Sequence, residues 1–430
     1  LSGTYWLYIS IHVFGQAPLW VAMIIMICLI LIMASYCSVA GWMISRLVNG
    51  DAWRLLLIAP SAWITIEWLR GWFLSGFPWL AIGYSQIDSP LAGWMPLIGI
   101  YGTSFLAVLS SSALLIVIIH HGRQRWQAVG IVLLPWIIGA ALQPIQWTEA
   151  TDQSLRTTIV QGGILQDQKW LPEQFQPTLD LYRNATLEHP ESDLIVWPEV
   201  AIPAMIDQVG NYLSILESYL QDQPKTLLFG ILERNLKSQE IYNSVVMLDG
   251  HDQQIYRKRH LVPFGEFFPV PDFVRQWMRL MSLPNSDLSA GSDNQPILIS
   301  LSGDKFAIAI CYEDAYGAEQ LYALPEAGVL INVSNDAWFG DSIAPHQHLD
   351  IARARALEAG RYVVRATNTG VSAFIGPKGQ LLDTAPQFEY STMTMDIVPY
   401  KGMTPYVRTG NWPIISLLFG ILAWFTWKEK

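Results

Sequence analysis

Three short strings place a carboxylate, an ammonium and a thiol within one charged, strand-rich part of the chain. Glu199 ends the string WPE, Lys258 lies just before the string LVPFGE, and Cys311 begins the string CYE. A thiol with a base and a cation beside it can accept an acyl group and pass it on. We expect the ammonium to lower the pKa of the thiol and to stabilise the oxyanion, together with the backbone N–H after the cysteine, while the carboxylate takes the thiol proton.

Each of these residues also has a simpler explanation. A carboxylate after proline, such as Glu199, is often a solvated turn residue, and Lys258 belongs to the basic run RKRH, which is typical of a solvated face. An isolated cysteine is most often simply buried. Cys28 and Cys37 are not expected to pair with each other, because they lie on opposite sides of one predicted membrane helix, and Cys311 stands alone in its domain. The order and the shared domain of the three residues favour catalysis.

The elements that position these residues are predicted from the spacing of apolar side chains. Asp193–Trp197 is a predicted strand that stops before Glu199, and Phe306–Ile310 is one that ends on Cys311. Alternating strands and helices predict one α/β domain with a layered sheet. Further strands are predicted over Thr157–Ile164, Thr226–Leu232, Ser244–Leu248, Val329–Val333, Tyr362–Ala366, Ser372–Ile375 and Thr392–Ile397, and helices over Gln174–Glu188, Val209–Gln221 and Pro345–Arg361.

Long apolar segments bracket this domain on both sides. Several approach or exceed the ~20 apolar residues that a helix needs to cross the hydrocarbon of a bilayer. Leu1–Phe14 is too short to span, and we interpret it as the end of a helix in an N-terminally truncated chain. We predict a membrane bundle over 1–150, a catalytic domain over 151–405 and a C-terminal membrane helix over 406–430. The predicted spans are Trp20–Ile44, Leu55–Phe73, Trp94–Ile119, Val129–Trp147 and Trp412–Trp427.

The distribution of lysine and arginine predicts the orientation. Basic residues lie in alternate connections and at the C-terminus, and these positions are expected to face the cytoplasm. The domain at 151–405 then faces outward, which in a bacterium is the periplasm. The net charge of the chain is −10, which argues against nucleic acid as a partner. The basic residues are Arg46, Arg54, Arg123, Arg125, Lys428 and Lys430.

The stretch Phe267–Met281 carries more apolar side chains than a loop in water usually tolerates. One interpretation is that it packs on the domain core. We prefer a membrane-dipping arm whose residues, Phe273 and Trp277 among them, bind lipid tails and guide them toward Cys311.

Longer strings extend the pattern. These are WPEVA at 197–201, YRKRHLVPFGEFFP at 256–269, CYED at 311–314, SNDAWFG at 334–340, RARALEAGRYVVRATNTG at 353–370, TPYVRTGNWP at 404–413, WLYISIHVFG at 6–15 and GFPWLAIGYSQ at 76–86. Together they resemble the apolipoprotein N-acyltransferase family, the membrane-embedded branch of the nitrilase (carbon–nitrogen hydrolase) superfamily. Two strings depart from that family's pattern, QGGI at 161–164 and NTG at 368–370, and both lie outside the three catalytic candidates.

The resemblance implies a polytopic α-helical membrane domain plus an α/β nitrilase-like α-β-β-α sandwich domain. It implies that Glu199 is the general base, Lys258 the cation that stabilises the oxyanion and Cys311 the nucleophile. The same resemblance assigns supporting roles to Glu266, which keeps Lys258 in place, and to Tyr312 and Glu313, and it puts Trp170 and Trp338 near the substrate channel.

The implied reaction is a two-step acyl transfer at the bacterial inner membrane. A phospholipid, most simply phosphatidylethanolamine through its sn-1 chain, acylates Cys311, and the α-amino group of a diacylglyceryl-cysteine lipoprotein then takes the acyl group. We expect a monomer with no cofactor and no metal. One alternative is a membrane-anchored amidase that hydrolyses the same thioester. The other is a transporter, which the scarcity of charge in the spans beyond Glu67 and Arg70 disfavours.

Overall fold

The computed structural model describes residues 2–49, 51–221, 225–267 and 288–428. Phe273 and Trp277, with the rest of 268–281, lie outside the described residues, so the predicted membrane-dipping arm stays a prediction. The longer helices are α1 (Leu19–Val48), α2 (Leu55–Arg70), α3 (Met95–Ile119), α4 (Gly122–Leu142), α5 (Pro172–Leu187), α6 (Gly210–Leu220), α7 (Ala344–Ala359) and α8 (Trp412–Lys428).

Three helices among the described residues are long and apolar enough to cross a membrane. They are α1, α3 together with the turn Pro90–Trp94 before it, and α4. The other two predicted spans are the shorter helices α2 and α8, of 16 and 17 residues. At 1.5 Å per residue each is roughly 25 Å long, slightly less than the hydrocarbon thickness of about 30 Å.

Helix α4 differs from its predicted range at both ends. It begins at Gly122, well before the predicted Val129, so that Arg123 and Arg125 lie in its first turn. Long basic side chains are tolerated there because they extend toward the membrane surface. The helix ends at Leu142 instead of continuing to Trp147, because Pro144 has no backbone N–H with which to continue the helical hydrogen bonds.

Helix α3 is broken near its start, at the point where the predicted catalytic domain meets the predicted membrane helices. Gly99 has a φ of 62°, and a Cβ at this position would lie 2.3 Å from the ring of Tyr406. The break frees the backbone N–H of Ile100, which donates to Oε1 of Glu358 on α7 at 2.7 Å. A buried side chain of the catalytic domain thus satisfies a donor of a membrane helix.

The strands form two large sheets and one short ribbon. One sheet has the order β14-β2-β3-β5-β6-β7, with β4 beside β5, and the other has the order β13-β12-β11-β10-β9-β8. The strands are β1 (Glu149–Ala150), β2 (Leu155–Gln161), β3 (Leu194–Val196), β4 (Ile202–Met205), β5 (Thr226–Arg234), β6 (Ile241–Leu248), β7 (Gln253–Arg257), β8 (Leu298–Ile299), β9 (Lys305–Ile310), β10 (Val329–Ser334), β11 (Tyr362–Thr367), β12 (Ala373–Ile375), β13 (Leu381–Thr384), β14 (Ser391–Ile397) and β15 (Tyr400–Lys401).

The two large sheets pack face to face and helices cover both outer faces. Ile159 and Val196 of one sheet share a fully buried cluster with Ile308 and Val333 of the other. Helices α5 and α6 pack on the outer face of the first sheet, and α7 packs on the outer face of the second. The central strands are buried on both faces, which explains their nearly continuous apolar sequence. This arrangement confirms the predicted α-β-β-α sandwich.

The two connections to the membrane helices pair with each other. β1 follows α4 and β15 precedes α8, and they form an antiparallel ribbon in which Glu149 lies opposite Lys401 and Ala150 opposite Tyr400. The ribbon thus brings the connection from α4 and the connection to α8 to the same side of the sandwich.

Candidate active site

The three catalytic candidates lie just beyond the carboxyl ends of β3, β7 and β9. Strands β9, β10 and β11 are mutually parallel, so the residues that follow them meet at one edge of the sheet. Cys311 follows β9 directly and starts a short 3-10 helix, Cys311–Ala315. Its φ of 51° is a left-handed conformation that is uncommon for residues other than glycine. The backbone therefore turns sharply at the nucleophile candidate.

Lys258 lies between two carboxylates. Its Nζ is 2.8 Å from Oε1 of Glu266 and 3.5 Å from Oε1 of Glu199. Glu266 is held in turn by the backbone N–H of Val262, which donates to its Oε2 at 2.8 Å. The structure thus brings the predicted supporting carboxylate against the predicted cation.

Asn243 contacts the same two carboxylates, and no sequence motif indicated it as a site residue. Its side-chain Nδ2 donates to Glu199 at 2.7 Å and to Glu266 at 3.1 Å, and its backbone carbonyl accepts the backbone N–H of Lys258 at 2.8 Å. Asn243 lies in β6, beside the end of β7, so only the pairing of these strands reveals its position. It fixes the spacing of the carboxylates around Lys258.

Burial decides against the simpler explanations of Glu199 and Lys258. Glu199 is 6% exposed and Lys258 is 1% exposed, so neither is a solvated surface charge. Burial lowers the pKa of Lys258, but the carboxylates of Glu266 and Glu199 raise it by more, and the net shift is upward. The ammonium therefore stays charged.

The net pKa of Cys311 is raised, although the charge of Lys258 lowers it as predicted. Burial is the largest cause, and the negative charges of Glu199 and Asp336 add to it. The charge of Lys258 and a hydrogen bond with Ser334 act in the opposite direction but do not offset the rise. Cys311 is therefore a thiol at neutral pH, and a base has to take its proton when it attacks.

Glu313 ties the nucleophile loop to the lysine loop. Its Oε1 accepts the N–H of Arg259 at 2.7 Å and the hydroxyl of Tyr256 at 3.0 Å, and its Oε2 accepts the N–H of Ile310 at 2.7 Å. The side chain is fully buried. Glu313, which was predicted to support the site, thus links the backbone segment that carries Lys258 to the segment that carries Cys311.

Tyr312 connects the site to the loop after α2. Its hydroxyl donates to the carbonyl of Gly76 at 3.3 Å, and its ring stacks on Trp79 with the centroids 6.2 Å apart. Tyr316 donates to the neighbouring carbonyl of Ser75 at 3.1 Å, and a nitrogen of His260 lies 3.0 Å from the same oxygen. A loop of the membrane domain therefore packs directly beside the residue that follows Cys311.

Trp170 and Trp338 are both exposed, at 53% and 41%. Trp170 follows Lys169, whose buried Nζ donates to the backbone carbonyl of Glu199 at 3.3 Å. Burial lowers the pKa of Lys169 to about 8, although the charge of Glu199 opposes this. Trp338 lies in the 3-10 turn Asp336–Phe339, and its carbonyl accepts the hydroxyl of Ser10 at 2.8 Å. Both rings are exposed, and their contact with substrate stays a prediction.

Two family models match the chain. The carbon-nitrogen hydrolase model matches residues 156–401, and the model of the apolipoprotein N-acyltransferase N-terminal domain matches residues 1–113. The first covers the sandwich and its catalytic candidates, and the second covers α1, α2 and most of α3.

Relatives match over nearly the full chain. The chain is 39% identical to an apolipoprotein N-acyltransferase of Methylococcus capsulatus, over 98% of this chain and 84% of that protein. It is 39% identical to the protein of the same name from Nitrosomonas europaea, over 100% of this chain and 87% of that protein.

Two solved structures align with part of the chain. A nitrilase-superfamily protein of Saccharomyces cerevisiae aligns at a TM-score of 0.44 and 20% identity, over 58% of this chain and 93% of that one. An amidase of Nesterenkonia sp. AN1 aligns at a TM-score of 0.45 and 18% identity, over 62% of this chain and 97% of that one. The family assignment depends on the family models and the full-length relatives: the chain belongs to the apolipoprotein N-acyltransferase family.

Proposed function

We propose that Cys311 is the nucleophile, Glu199 the general base and Lys258 the oxyanion-stabilising cation of a lipoprotein N-acyltransferase. The full-length relatives bear that activity in their names, and the chain is an N-acyltransferase of this kind. The observation that carries the assignment of residues is the buried Lys258, held between Glu199 and Glu266 and close enough to Cys311 to affect its pKa.

In the first step the sulfur of Cys311 attacks the ester carbonyl of a phospholipid while Glu199 takes the thiol proton. Negative charge develops on the carbonyl oxygen, where Lys258 stabilises it. The tetrahedral intermediate collapses as the C–O bond breaks, and Glu199 returns the proton to the leaving oxygen. A lysophospholipid departs and a thioester remains on Cys311.

In the second step the free α-amino group of a diacylglyceryl-cysteine lipoprotein attacks the thioester. Glu199 takes a proton from the amine, the C–S bond breaks, and the proton passes to the departing sulfur of Cys311. The product is an amide, which is less reactive than the thioester, so the step is favourable. Water has to be kept from the thioester, because hydrolysis would waste the donor.

The surroundings of the site support a lipid donor. Ser75, Gly76 and Trp79 of the membrane domain contact Tyr312 and Tyr316, which lie next to or near Cys311 in the chain. We expect a site built partly from a membrane-domain loop to lie close to the ester groups of lipids. We therefore propose that the acyl donor is a phospholipid, with phosphatidylethanolamine as the first candidate. The alternative enzyme, an amidase, would need only water and a soluble amide.

The charge of the helix ends supports an outward-facing catalytic domain in the inner membrane. Arg46, Arg54 and Lys428 lie at the ends of α1, α2 and α8 that are away from the ribbon and the loop after α2. Basic ends face the cytoplasm by the positive-inside tendency. We propose a periplasmic domain over 151–405, flanked by membrane parts at 1–150 and 406–430, in a chain that acts as a monomer.

Thiol labelling in spheroplasts tests this orientation. Ser302 is exposed after β8, and Gln124 is exposed in the first turn of α4. In a chain whose other cysteines are replaced by serine, we expect a membrane-impermeant maleimide to label Ser302→Cys and to spare Gln124→Cys until the membrane is opened. The reverse pattern would overturn the orientation.

Mass spectrometry of the full chain in detergent tests the proposed donor. After incubation with phosphatidylethanolamine, we expect a hydroxylamine-sensitive adduct of one fatty acyl group on Cys311. A matched incubation with phosphatidylglycerol is expected to load more slowly, because the chain carries a net charge of −10 and repels an anionic headgroup. Equal loading from both lipids would contradict the headgroup preference, and no adduct from either would contradict the proposed mechanism.

A further inference from the structure

A buried group of four charged side chains lies behind the nucleophile, and the proposed mechanism does not use it. His348 of α7 lies between two aspartates: its Nδ1 is 2.8 Å from Oδ1 of Asp336, and its Nε2 is 3.0 Å from Oδ1 of Asp314. Arg365 of β11 completes the group, 2.8 Å from Asp336 and 3.4 Å from Asp314. All four side chains are almost completely buried.

The partners of His348 determine its protonation. Ionised carboxylates only accept hydrogen bonds, so the nitrogen facing Asp336 and the nitrogen facing Asp314 must both carry hydrogen. His348 is therefore an imidazolium. Burial and Arg365 lower its pKa, but Asp314 and Asp336 raise it by more, to about 9.

The same bonds argue against a metal ion at this place. Cys311, Asp336 and His348 have possible ligand atoms within 4.8 Å of one another. Both ring nitrogens of His348 carry hydrogen, however, and a metal ligand needs a free lone pair. The cluster is better explained by hydrogen bonding.

Nε2 of His348 has a second acceptor, the backbone carbonyl of Cys311, at 3.2 Å. That carbonyl and the N–H of Tyr312 are the two ends of one planar trans peptide, so they point in opposite directions. The N–H lies in the first turn of the 3-10 helix Cys311–Ala315, where backbone donors have no partner from within the helix. It is thus available for the substrate oxyanion.

We propose that His348 is a positioning residue that acts through the peptide between Cys311 and Tyr312. Its imidazolium holds the carbonyl end of that peptide in the left-handed turn, and the charge-assisted bond polarises the N–H end. The N–H of Tyr312 and the ammonium of Lys258 then form the oxyanion site together. This inference rests on the proposed nucleophilic role of Cys311.

The test compares two reactions of the same sulfur. Acyl loading from phospholipid passes through an oxyanion, whereas alkylation by iodoacetamide does not. In the double variant D314N/H348Q, which removes one negative and one positive charge together, we expect acyl loading to fall by about 10- to 100-fold. This is less than the 10²–10³ for deletion of a whole oxyanion donor, because the N–H itself remains. The rate and pH profile of alkylation are expected to stay within about twofold, because removing charges of both signs leaves the net field at the sulfur nearly unchanged.

His346→Gln provides the matched control, since His346 is exposed on the same helix. It is expected to load and alkylate like the unaltered chain. A D314N/H348Q variant that loads at the normal rate would overturn the role of His348 and leave the proposed function intact. A parallel loss of loading and alkylation would also overturn it, since that result indicates structural damage. If the unaltered chain never loads, the proposed function fails, and the role of His348 fails with it.

Discussion

Replacing Cys311 with serine is expected to lower acyl loading by at least about 10³-fold, since removal of a catalytic nucleophile costs up to about 10⁶ in other enzymes. A hydroxyl holds its proton more tightly than a thiol does, and Glu199 has to remove that proton in a buried site that already disfavours negative charge on the sulfur. The measurement is the initial rate of acyl adduct formation from phosphatidylethanolamine by the full chain in detergent.

Cys28→Ser is the matched control for this substitution. Cys28 lies exposed on α1, among residues that face lipid in the proposed topology. We expect its variant to load at the normal rate. Mature lipoprotein formed at an ordinary rate by the Cys311→Ser variant would contradict the covalent mechanism.

Replacing Glu199 with glutamine is expected to move two rates in opposite directions. Acyl loading should fall by about 10²–10⁴-fold, the usual contribution of a general base. The negative charge of Glu199 raises the pKa of Cys311, so its removal lowers that pKa. At a fixed pH below the pKa, the fraction of thiolate then increases and alkylation by iodoacetamide becomes faster.

Glu173→Gln is the control, because Glu173 is exposed in the first turn of α5. Both of its rates should match those of the unaltered chain. Slower alkylation in the Glu199→Gln variant would contradict the assigned electrostatics, and normal loading would contradict the role of Glu199 as the base.

The sequence predicted the sandwich well because its signals are local. Alternating apolar residues identified β9 and β10 to within a residue at each end, and both catalytic strands could be placed before Glu199 and Cys311. The strand before Lys258, β7, was not predicted, and β3 and β9 lie in different sheets, so the meeting of the three candidates depends on how the two sheets pack. The membrane helices were less predictable, because their ends depend on local breaks such as Pro144 and on charges tolerated at the interface.

The parts of the site that were missed depend on contacts between distant segments. Asn243 reaches Glu199 only because β6 pairs with β7, and His348 reaches Cys311 only because α7 packs beneath the second sheet. The net direction of the Cys311 pKa shift could not be predicted for the same reason. The sequence shows the lysine but not the burial, nor Asp336 beside the sulfur.

The most direct test is a chase of the isolated acyl-enzyme. The full chain is loaded on Cys311 with a labelled acyl group, freed of donor lipid, and mixed with a diacylglyceryl-cysteine lipopeptide. We expect the label to move into an amide on the lipopeptide at least as fast as steady-state turnover, and to stay on Cys311 when only water is present. A thioester that persists beside the acceptor, or that releases free fatty acid at the same rate with and without it, would contradict acyl transfer through Cys311.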